Sequence, residues 1–544
     1  TVSEERPTIL MITPYGRALV MEDLSLLERI GAYFKYGVTD LIFDASTRMD
    51  VRLLLANGYA VAMASMRGTG ASTGAQIPFD PRLADDAEDT IQWVRERAWS
   101  NGKLCMMGRS YRGWIQLMVA AREPAGLRCI VPEVILFDSY SEGLRPGGID
   151  ATGWIEGYSR LLSGLNRGDL ERPAQIVPPT PVIDEDGDGD LVDEIPLRDD
   201  GLPRSFFEAT EARYADGQAR EDIYFNAIRE HADNIPFRFF RRENAPYHNS
   251  TAPEPPGLTF PQTSPGYYTP ELAQSDIGVF HVGGWFDGFL AGTTKLYASM
   301  AAAGKQQMKL QIGPRFHMPP YVTSAYARHL AYEGNYEEQF AREKLRFFDY
   351  HLKGIANGIY EEQPVRIYVM NDDWRTASHW PPRNTKHESF YLSADNALRK
   401  TSGAEARDAY PVQFEHRSSY GSEAANRWLL WLHPDTIMDR TEHDRLTAVY
   451  ETGPLDQDTD IIGHPIVHLH VSSNQPDGDV FVYLSEVTPA GRAIYAGEGQ
   501  LRAGWHRLRS PELQTEFRAK VLPELPYHGF LSGQYADAPF ADGG

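Results

Sequence analysis

Cysteine is scarce in this sequence, and its scarcity removes one guide to where the protein resides. Only two cysteines occur among 544 residues, Cys105 and Cys129, and both lie in apolar, strand-like runs. We expect buried free thiols, with a bond between neighbouring strands as the alternative. Two cysteines do not indicate a compartment.

Long apolar runs and positive charge are also in short supply. No stretch approaches the roughly 20 apolar residues that span a bilayer, which excludes a membrane-spanning helix. Lys and Arg total 53 against 75 Asp and Glu, a net charge of −22 that opposes binding to nucleic acid or an anionic membrane. The polar start, Thr1-Val2-Ser3-Glu4-Glu5, lacks the apolar segment of a signal peptide, which suits a cytoplasmic protein and an already processed one equally.

The sequence has enough apolar residues, 42%, to bury a large core, and its length predicts two to four domains. Strand and helix patterns alternate through the first 140 residues, which predicts an α/β class with a parallel sheet. The boundaries follow from changes in pattern. We predict an α/β-hydrolase core at 1–140 and 266–355, an inserted helical cap at 141–265, and an all-β jelly-roll domain at 356–544, with strands at 389–392, 428–432, 466–471 and 480–484.

A serine lies in a tight turn between a predicted strand and a predicted helix. The run is Gly108-Arg109-Ser110-Tyr111-Arg112-Gly113, preceded by apolar residues and followed by a helical apolar face. This arrangement is typical of a nucleophile elbow, although the usual second glycine follows the serine by two residues and here it follows by three. Taken alone, a serine between glycines is more often part of an ordinary loop.

Two later loops supply the acid and the base that a serine nucleophile needs. Asp287 follows a predicted strand at 279–282, and His317 follows one at 308–312. The order Ser, Asp, His is that of an α/β-hydrolase triad. For the oxyanion we expect the N–H of Tyr111 and the hydroxyl of Tyr15, which follows an early strand. The alternative for Tyr15 is a packing role.

Six motifs occur together and in this order: Thr13-Pro14-Tyr15, Arg67-Gly68-Thr69-Gly70, Trp99-Ser100-Asn101-Gly102-Lys103, the elbow, Gly284-Trp285-Phe286-Asp287-Gly288, and Gly313-Pro314 with His317. By these six motifs and their order, the chain resembles the cocaine esterase / Xaa-Pro dipeptidyl-peptidase family of serine hydrolases. The resemblance implies Ser110 as nucleophile, His317 as base, Asp287 as the residue that orients it, and Tyr15 with Tyr111 as the oxyanion hole. It also implies a helical cap and a C-terminal jelly roll.

The chain departs from the family pattern around the serine and at its ends. Arg109 and Arg112 stand where small or apolar residues are typical; one could meet an anionic substrate group, and a salt bridge to a neighbouring carboxylate is the alternative. Trp285, Phe286 and Phe316 suggest an aromatic acyl pocket, although the first two could simply pack. Few residues precede the Thr-Pro-Tyr strand and the chain ends soon after Pro526-Tyr527-His528, so we expect elements trimmed at both ends or held differently.

An acidic run resembles a calcium-binding loop of the EF-hand type. Its candidate ligands are Asp184, Asp186, Asp188, Asp190, Asp193 and Glu194. Oxygen ligands at alternate positions with a glycine at position 6 suit Ca²⁺, although position 12 is Ile195 rather than glutamate. The alternative is a solvated acidic linker. Structural calcium would favour a periplasmic or secreted protein over a cytoplasmic one.

The leading hypothesis is a serine hydrolase that cleaves a small-molecule ester or amide through an acyl-enzyme, without a catalytic cofactor. Simple carboxylesterase activity is favoured over Xaa-Pro dipeptidyl-peptidase or acylase activity. A hydrolase of α-amino acid esters should carry carboxylates just after the triad aspartate, where Gly288-Phe289-Leu290-Ala291 stand. The rival from another class is a non-catalytic protein that binds a glycan or partner on a hydrolase scaffold. The oligomeric state stays open, a homo-oligomer included.

Overall fold

The computed structural model describes residues 4–15, 19–20, 42–43, 49–67, 69, 72, 79–149, 151, 260–317, 336–413, 439–508, 518, 525–530, 535–536 and 539–540. Most of the predicted cap, all six calcium ligand candidates and the strand predicted at 428–432 lie outside these residues.

A large sheet organises the described residues. Its eight strands, in chain order, are β1 (Arg6–Thr13), β4 (Ala60–Ser65), β5 (Ser100–Arg109), β6 (Leu127–Glu133), β7 (Gly278–Gly284), β8 (Met308–Gly313), β9 (Val365–Tyr368) and β10 (Trp374–Ala377), and a separate pair is formed by β2 (Leu19–Val20) and β3 (Ile42–Phe43). The order across the large sheet is β10-β9-β8-β7-β6-β5-β1-β4. Every neighbouring pair is parallel except β9 and β10. The predicted α/β class with a parallel sheet is confirmed.

Helices cover both faces of this sheet. The α-helices of the described residues are α1 (Met49–Ala56), α2 (Leu83–Arg95), α3 (Tyr111–Ala120), α4 (Thr269–Gln274), α5 (Leu290–Ala302), α6 (Tyr336–Lys353) and α7 (Thr441–Asp444). Alternate residues of β1 face opposite cores: Leu10 belongs to the apolar cluster that includes residues of α2, α3 and α5, whereas Met11 belongs to the cluster that includes residues of α1 and α6. Burial on both faces explains why these strands are continuous apolar runs. Within the described ranges, no helix is both long and apolar enough to cross a membrane.

The two cysteines form a disulfide, so the expectation of free thiols is wrong. Cys105 of β5 and Cys129 of β6 are directly opposite each other in the parallel ladder, with their Cα atoms 4.6 Å apart. That separation lies within the range that a disulfide bridges. Both residues are buried in the core between the sheet and α6.

The large sheet continues beyond residue 355, where the hydrolase core was predicted to end, because β9 and β10 extend it. Antiparallel pairs follow: β11 (Tyr391–Ser393) with β12 (Ala397–Arg399), and β13 (Asp479–Val487) with β14 (Ala493–Arg502). These confirm two predicted strands, at 389–392 and 480–484. The strand predicted at 466–471 is wrong, since those residues pair with no described strand. The jelly roll remains a prediction.

The C-terminal region packs on the segment that follows β6. A π-helical turn, Ser139–Leu144, is followed by a 3-10 turn, Pro146–Gly148, and Gly148 lies against the ring of Trp505. The ring of Tyr140 lies 6.2 Å from that of Phe530. Short 3-10 turns also occur at Phe260–Thr263, Pro265–Tyr268 and Ala503–Trp505.

Candidate active site

The three predicted triad residues follow three strands of the same parallel sheet. Ser110 follows β5, Asp287 follows β7 and His317 follows β8. Since these strands are parallel, their carboxyl ends form one edge, which is where α/β sheets place their ligand sites. The sheet therefore brings the three turns to a common edge.

Ser110 has a backbone conformation that serine rarely adopts. Its φ is 59° and its ψ is −126°, and it immediately precedes α3. Its N–H donates to the carbonyl of Glu133 at 2.9 Å, and its own carbonyl accepts from Gly113 N at 2.7 Å and Trp114 N at 2.9 Å. A positive φ at a non-glycine residue is uncommon and marks strain of the kind that nucleophile elbows show.

The glycines around Ser110 permit close contacts between chain segments. A Cβ on Gly108 would lie 2.5 Å from the Cβ of Arg112, so the strand and helix approach each other only because residue 108 has no side chain. A Cβ on Gly113 would overlap the side chain of Ile135 and lie 3.3 Å from the main chain of Glu133. The glycine three residues after the serine is thus the one that lets α3 pack on the end of β6.

The predicted base and its predicted orienting acid are in contact. Nδ1 of His317 lies 2.7 Å from Oδ2 of Asp287, and both residues are nearly buried. The other oxygen of Asp287 accepts from Phe289 N at 2.7 Å. The Phe289 ring stands edge-on to the imidazole, 5.5 Å away between centroids. A proton shared with Asp287 on Nδ1 leaves Nε2 as the basic nitrogen.

The two tyrosines predicted for the oxyanion hole differ in how they are held. The side chain of Tyr111 packs, because its hydroxyl accepts from Phe79 N at 2.6 Å and its ring stacks on Phe79 at 4.8 Å. Its backbone N–H begins α3, where helix donors lack intrahelical acceptors. Tyr15 follows β1, and the guanidinium of Arg112 lies 6.0 Å from its ring centroid.

The three aromatic residues predicted for an acyl pocket have packing contacts. Trp285 Nε1 donates to the carbonyl of Tyr368 at 2.6 Å. Phe286 and Phe316 stack on each other at 5.1 Å, and both are buried. The packing alternative raised for Trp285 and Phe286 accordingly has direct support. Their role in a pocket stays a prediction.

Arg109 makes the salt bridge that the sequence offered as an alternative. Its Nη2 lies 3.6 Å from Oε2 of Glu133. The same oxygen accepts from Arg315 at 3.3 and 3.4 Å. Sequence reasoning missed Glu133, Arg315 and the contact of Phe289 with the histidine. The available signals were a charged residue at the end of an apolar strand, Glu133, and another two residues before the histidine, Arg315.

Two family models match the chain. One is described as X-Pro dipeptidyl-peptidase (S15 family) and matches residues 1–179. The other is described as the X-Pro dipeptidyl-peptidase C-terminal non-catalytic domain and matches residues 357–528. Both models carry the name of the same peptidase, and they match the N-terminal and the C-terminal parts of the chain.

Curated relatives and solved structures agree with these matches. A protein of Mycobacterium bovis named as a serine esterase is 29% identical over 98% of this chain and 80% of its own length. The cocaine esterase of a Rhodococcus species is 27% identical over 82% of this chain and 73% of its own length. The chain also resembles the crystal structure of a CocE/NonD family hydrolase from Staphylococcus aureus with a TM-score of 0.59 and 16% sequence identity. The superposition covers 99% of this chain and 76% of that protein, which supports the fold.

Proposed function

Since the chain belongs to the cocaine esterase / Xaa-Pro dipeptidyl-peptidase family of serine hydrolases, we propose that it hydrolyses a small ester with Ser110, His317 and Asp287 as its catalytic triad. The observation that carries this proposal is the 2.7 Å contact between His317 Nδ1 and Asp287 Oδ2. It occurs at the sheet edge where Ser110 holds the strained conformation of an elbow.

The reaction proceeds through an acyl-enzyme. Nε2 of His317 takes the hydroxyl proton of Ser110 as its oxygen attacks the ester carbonyl carbon. The tetrahedral intermediate collapses when the imidazolium gives that proton to the leaving alkoxide. Water, deprotonated by His317, then attacks the acyl carbon, and the imidazolium gives the proton to Ser110 Oγ as the bond between that oxygen and the acyl carbon breaks and the acid is released. Asp287 holds the ring and stabilises its positive charge in both steps.

Two donors stabilise the oxyanion in this proposal. The backbone N–H of Tyr111 follows the nucleophile directly, and the hydroxyl of Tyr15 is the second donor. Removal of one such donor typically lowers kcat by about 10²-fold or more.

Simple esters are the favoured substrates. The residues after Asp287 include Phe289 and Leu290 and lack the carboxylates that would hold a substrate ammonium group. Amide substrates, including Xaa-Pro dipeptides, form the second candidate because both family models carry that name. A panel of p-nitrophenyl esters, aminoacyl esters and Xaa-Pro anilides separates these candidates. We expect p-nitrophenyl esters to give the highest kcat/KM, and Ser110→Ala to abolish turnover of every accepted substrate without altering the thermal midpoint.

Calcium, an exported location and self-association remain further proposals. The acidic run at 184–194 is the basis for calcium, since so many carboxylates in one stretch repel each other without a counter-ion. Metal analysis after dialysis against a weak chelator tests it, with one Ca²⁺ per chain expected. Less than a tenth of an ion per chain after calcium is supplied would contradict this proposal.

A further inference from the structure

A buried cluster of charged side chains connects the turns of the predicted nucleophile and base. Its centre is the carboxylate of Glu133, which is only 2% exposed. Arg315, which is 0% exposed, donates from Nη1 and Nη2 to Oε2 of Glu133 at 3.3 and 3.4 Å. Arg109 Nη2 lies 3.6 Å from the same oxygen. Lys344 Nζ lies 3.2 Å from Oε1 of Glu133 and 2.6 Å from Oδ2 of Asp50. Among the residues that the structure describes, three cations and two anions therefore share this site.

The main chains of Glu133 and Arg315 extend the cluster to the triad turns. The carbonyl of Glu133 accepts from Ser110 N at 2.9 Å. The carbonyl of Arg315 accepts from Phe286 N at 3.1 Å, one residue before Asp287. Arg315 is also two residues before His317. One ion pair thus joins the nucleophile turn to the turns of both the acid and the base.

Stability alone is a weak reason for such a cluster. Removing charges from water is costly, and well-packed apolar residues in place of a buried ion pair are often neutral or stabilising. Directional hydrogen bonds from a planar guanidinium do what apolar packing does not, because they fix the relative placement of two segments. Glu133 and Arg315 lie between the triad turns, where precise placement of the chain segments would affect catalysis.

We propose that Glu133 and Arg315 are positioning residues for the hydrolysis, and that their ion pair sets the placement of the His317 turn relative to the Ser110 turn. This inference rests on the proposed function. A misplacement of reacting groups by about 1 Å can cost about 100-fold in rate. The pair acts on the turns and does not contact the substrate, so its loss affects kcat much more than KM.

The test compares variants at both ends of the pair. Glu133→Gln keeps the shape of the side chain and removes its charge, and Arg315→Met removes the partner. We expect each to lower kcat for an accepted p-nitrophenyl ester by about 100-fold, with KM changed by less than about twofold. Arg315→Lys keeps a cation opposite Glu133, and we expect it to recover about tenfold of the kcat lost in Arg315→Met.

A matched control comes from Lys309, a buried lysine of β8. Lys309 Nζ lies 3.1 Å from Glu362 Oε2 and 3.0 Å from the carbonyl of Ile359, near the strand end remote from His317. Lys309→Met removes a buried cation whose ion-pair partner, Glu362, is 47% exposed, so we expect a lower thermal midpoint with kcat within about twofold of the parent. All assays are run below every variant's midpoint.

Labelling of Ser110 by a fluorophosphonate separates this inference from the proposed function. Suppose that Glu133→Gln and Arg315→Met fold, are labelled at Ser110 and have kcat within about twofold of the parent. The positioning role is then overturned and the triad stands. An equal fall of kcat in Lys309→Met overturns it as well. If Glu133→Gln does not fold, the arginine variants decide, and equal kcat for Arg315→Lys and Arg315→Met contradicts the proposal. No Ser110-dependent turnover in the parent refutes the proposed function itself.

Discussion

Nδ1 of His317 lies 2.7 Å from Oδ2 of Asp287, while Oδ1 of the same carboxylate accepts from Phe289 N at 2.7 Å. Both oxygens of Asp287 are therefore engaged, one by the imidazole and one by the backbone of its own turn. The second bond fixes the carboxylate, and the first fixes the ring.

Asp287→Asn should lower kcat by about 10⁴-fold, because an amide nitrogen facing Nδ1 would favour the wrong imidazole tautomer. The side chain keeps its size and a carbonyl oxygen for Phe289 N, so the thermal midpoint should change little. Ester turnover above the uncatalysed rate is the measurement. A loss smaller than tenfold in a folded variant would contradict the orienting role.

Gly113→Ala should reduce the free energy of unfolding by about 1–3 kcal/mol, since the new methyl group overlaps Ile135 and crowds the backbone of Glu133. Gly497→Ala in β14 is the control, because a Cβ there has no heavy atom within 4 Å. Guanidinium titrations of both variants give the comparison. Equal changes in the two would show that helix α3 does not depend on a glycine at this point.

Reduction of the Cys105–Cys129 disulfide should destabilise the protein by about 3 kcal/mol, because the bond closes a loop with a sequence separation of 24 residues. Guanidinium midpoints with and without reductant measure the effect. The double variant Cys105→Ala/Cys129→Ala should show no dependence on reductant. Two reactive thiols in unfolded, unreduced protein would contradict the disulfide.

Acid should destabilise the fold through His281. Complete burial lowers the pKa of His281 to about 3, and neither ring nitrogen has a hydrogen-bond partner among the described residues. The unfolded chain takes up a proton near pH 6.5, whereas the folded chain does so only near 3, so stability falls as the pH decreases between these values. The slope is about 1.4 kcal/mol per pH unit.

His281→Leu removes this titration and should flatten the pH dependence of the unfolding free energy between pH 6 and 4 by about that slope. His387→Leu is a surface comparison, because the parent residue is exposed. Denaturant titrations at pH 7, 6, 5 and 4 test the difference. An unchanged slope in His281→Leu would show that the folded protein already accommodates a charged ring.

The sequence predicts local features of this protein better than its long-range pairings. Apolar runs ending in small or polar residues locate the strands before Ser110, Asp287 and His317. The disulfide depends on β5 and β6 being neighbours with Cys105 opposite Cys129, and no local pattern specifies that register. The pair Glu133 and Arg315 is 182 residues apart along the chain, so only the order of strands in the sheet reveals it.

The C-terminal region illustrates the opposite failure. Residues 466–471 alternate in the way a strand does, yet a strand also needs a partner for its backbone hydrogen bonds. No described strand pairs with these residues, and the side chains of Val467 and Leu469 are exposed. Alternation alone therefore overpredicts strands where the neighbouring chain is not specified.

Intact-mass and peptide analysis after reaction with a fluorophosphonate shows whether Ser110 is the nucleophile. We predict a single phosphonyl adduct on Ser110 of the parent protein and no adduct on Ser110→Ala. Esterase activity should fall in proportion to the labelled fraction and be lost when labelling is complete. An adduct at another residue, or full activity in the labelled protein, would contradict the account.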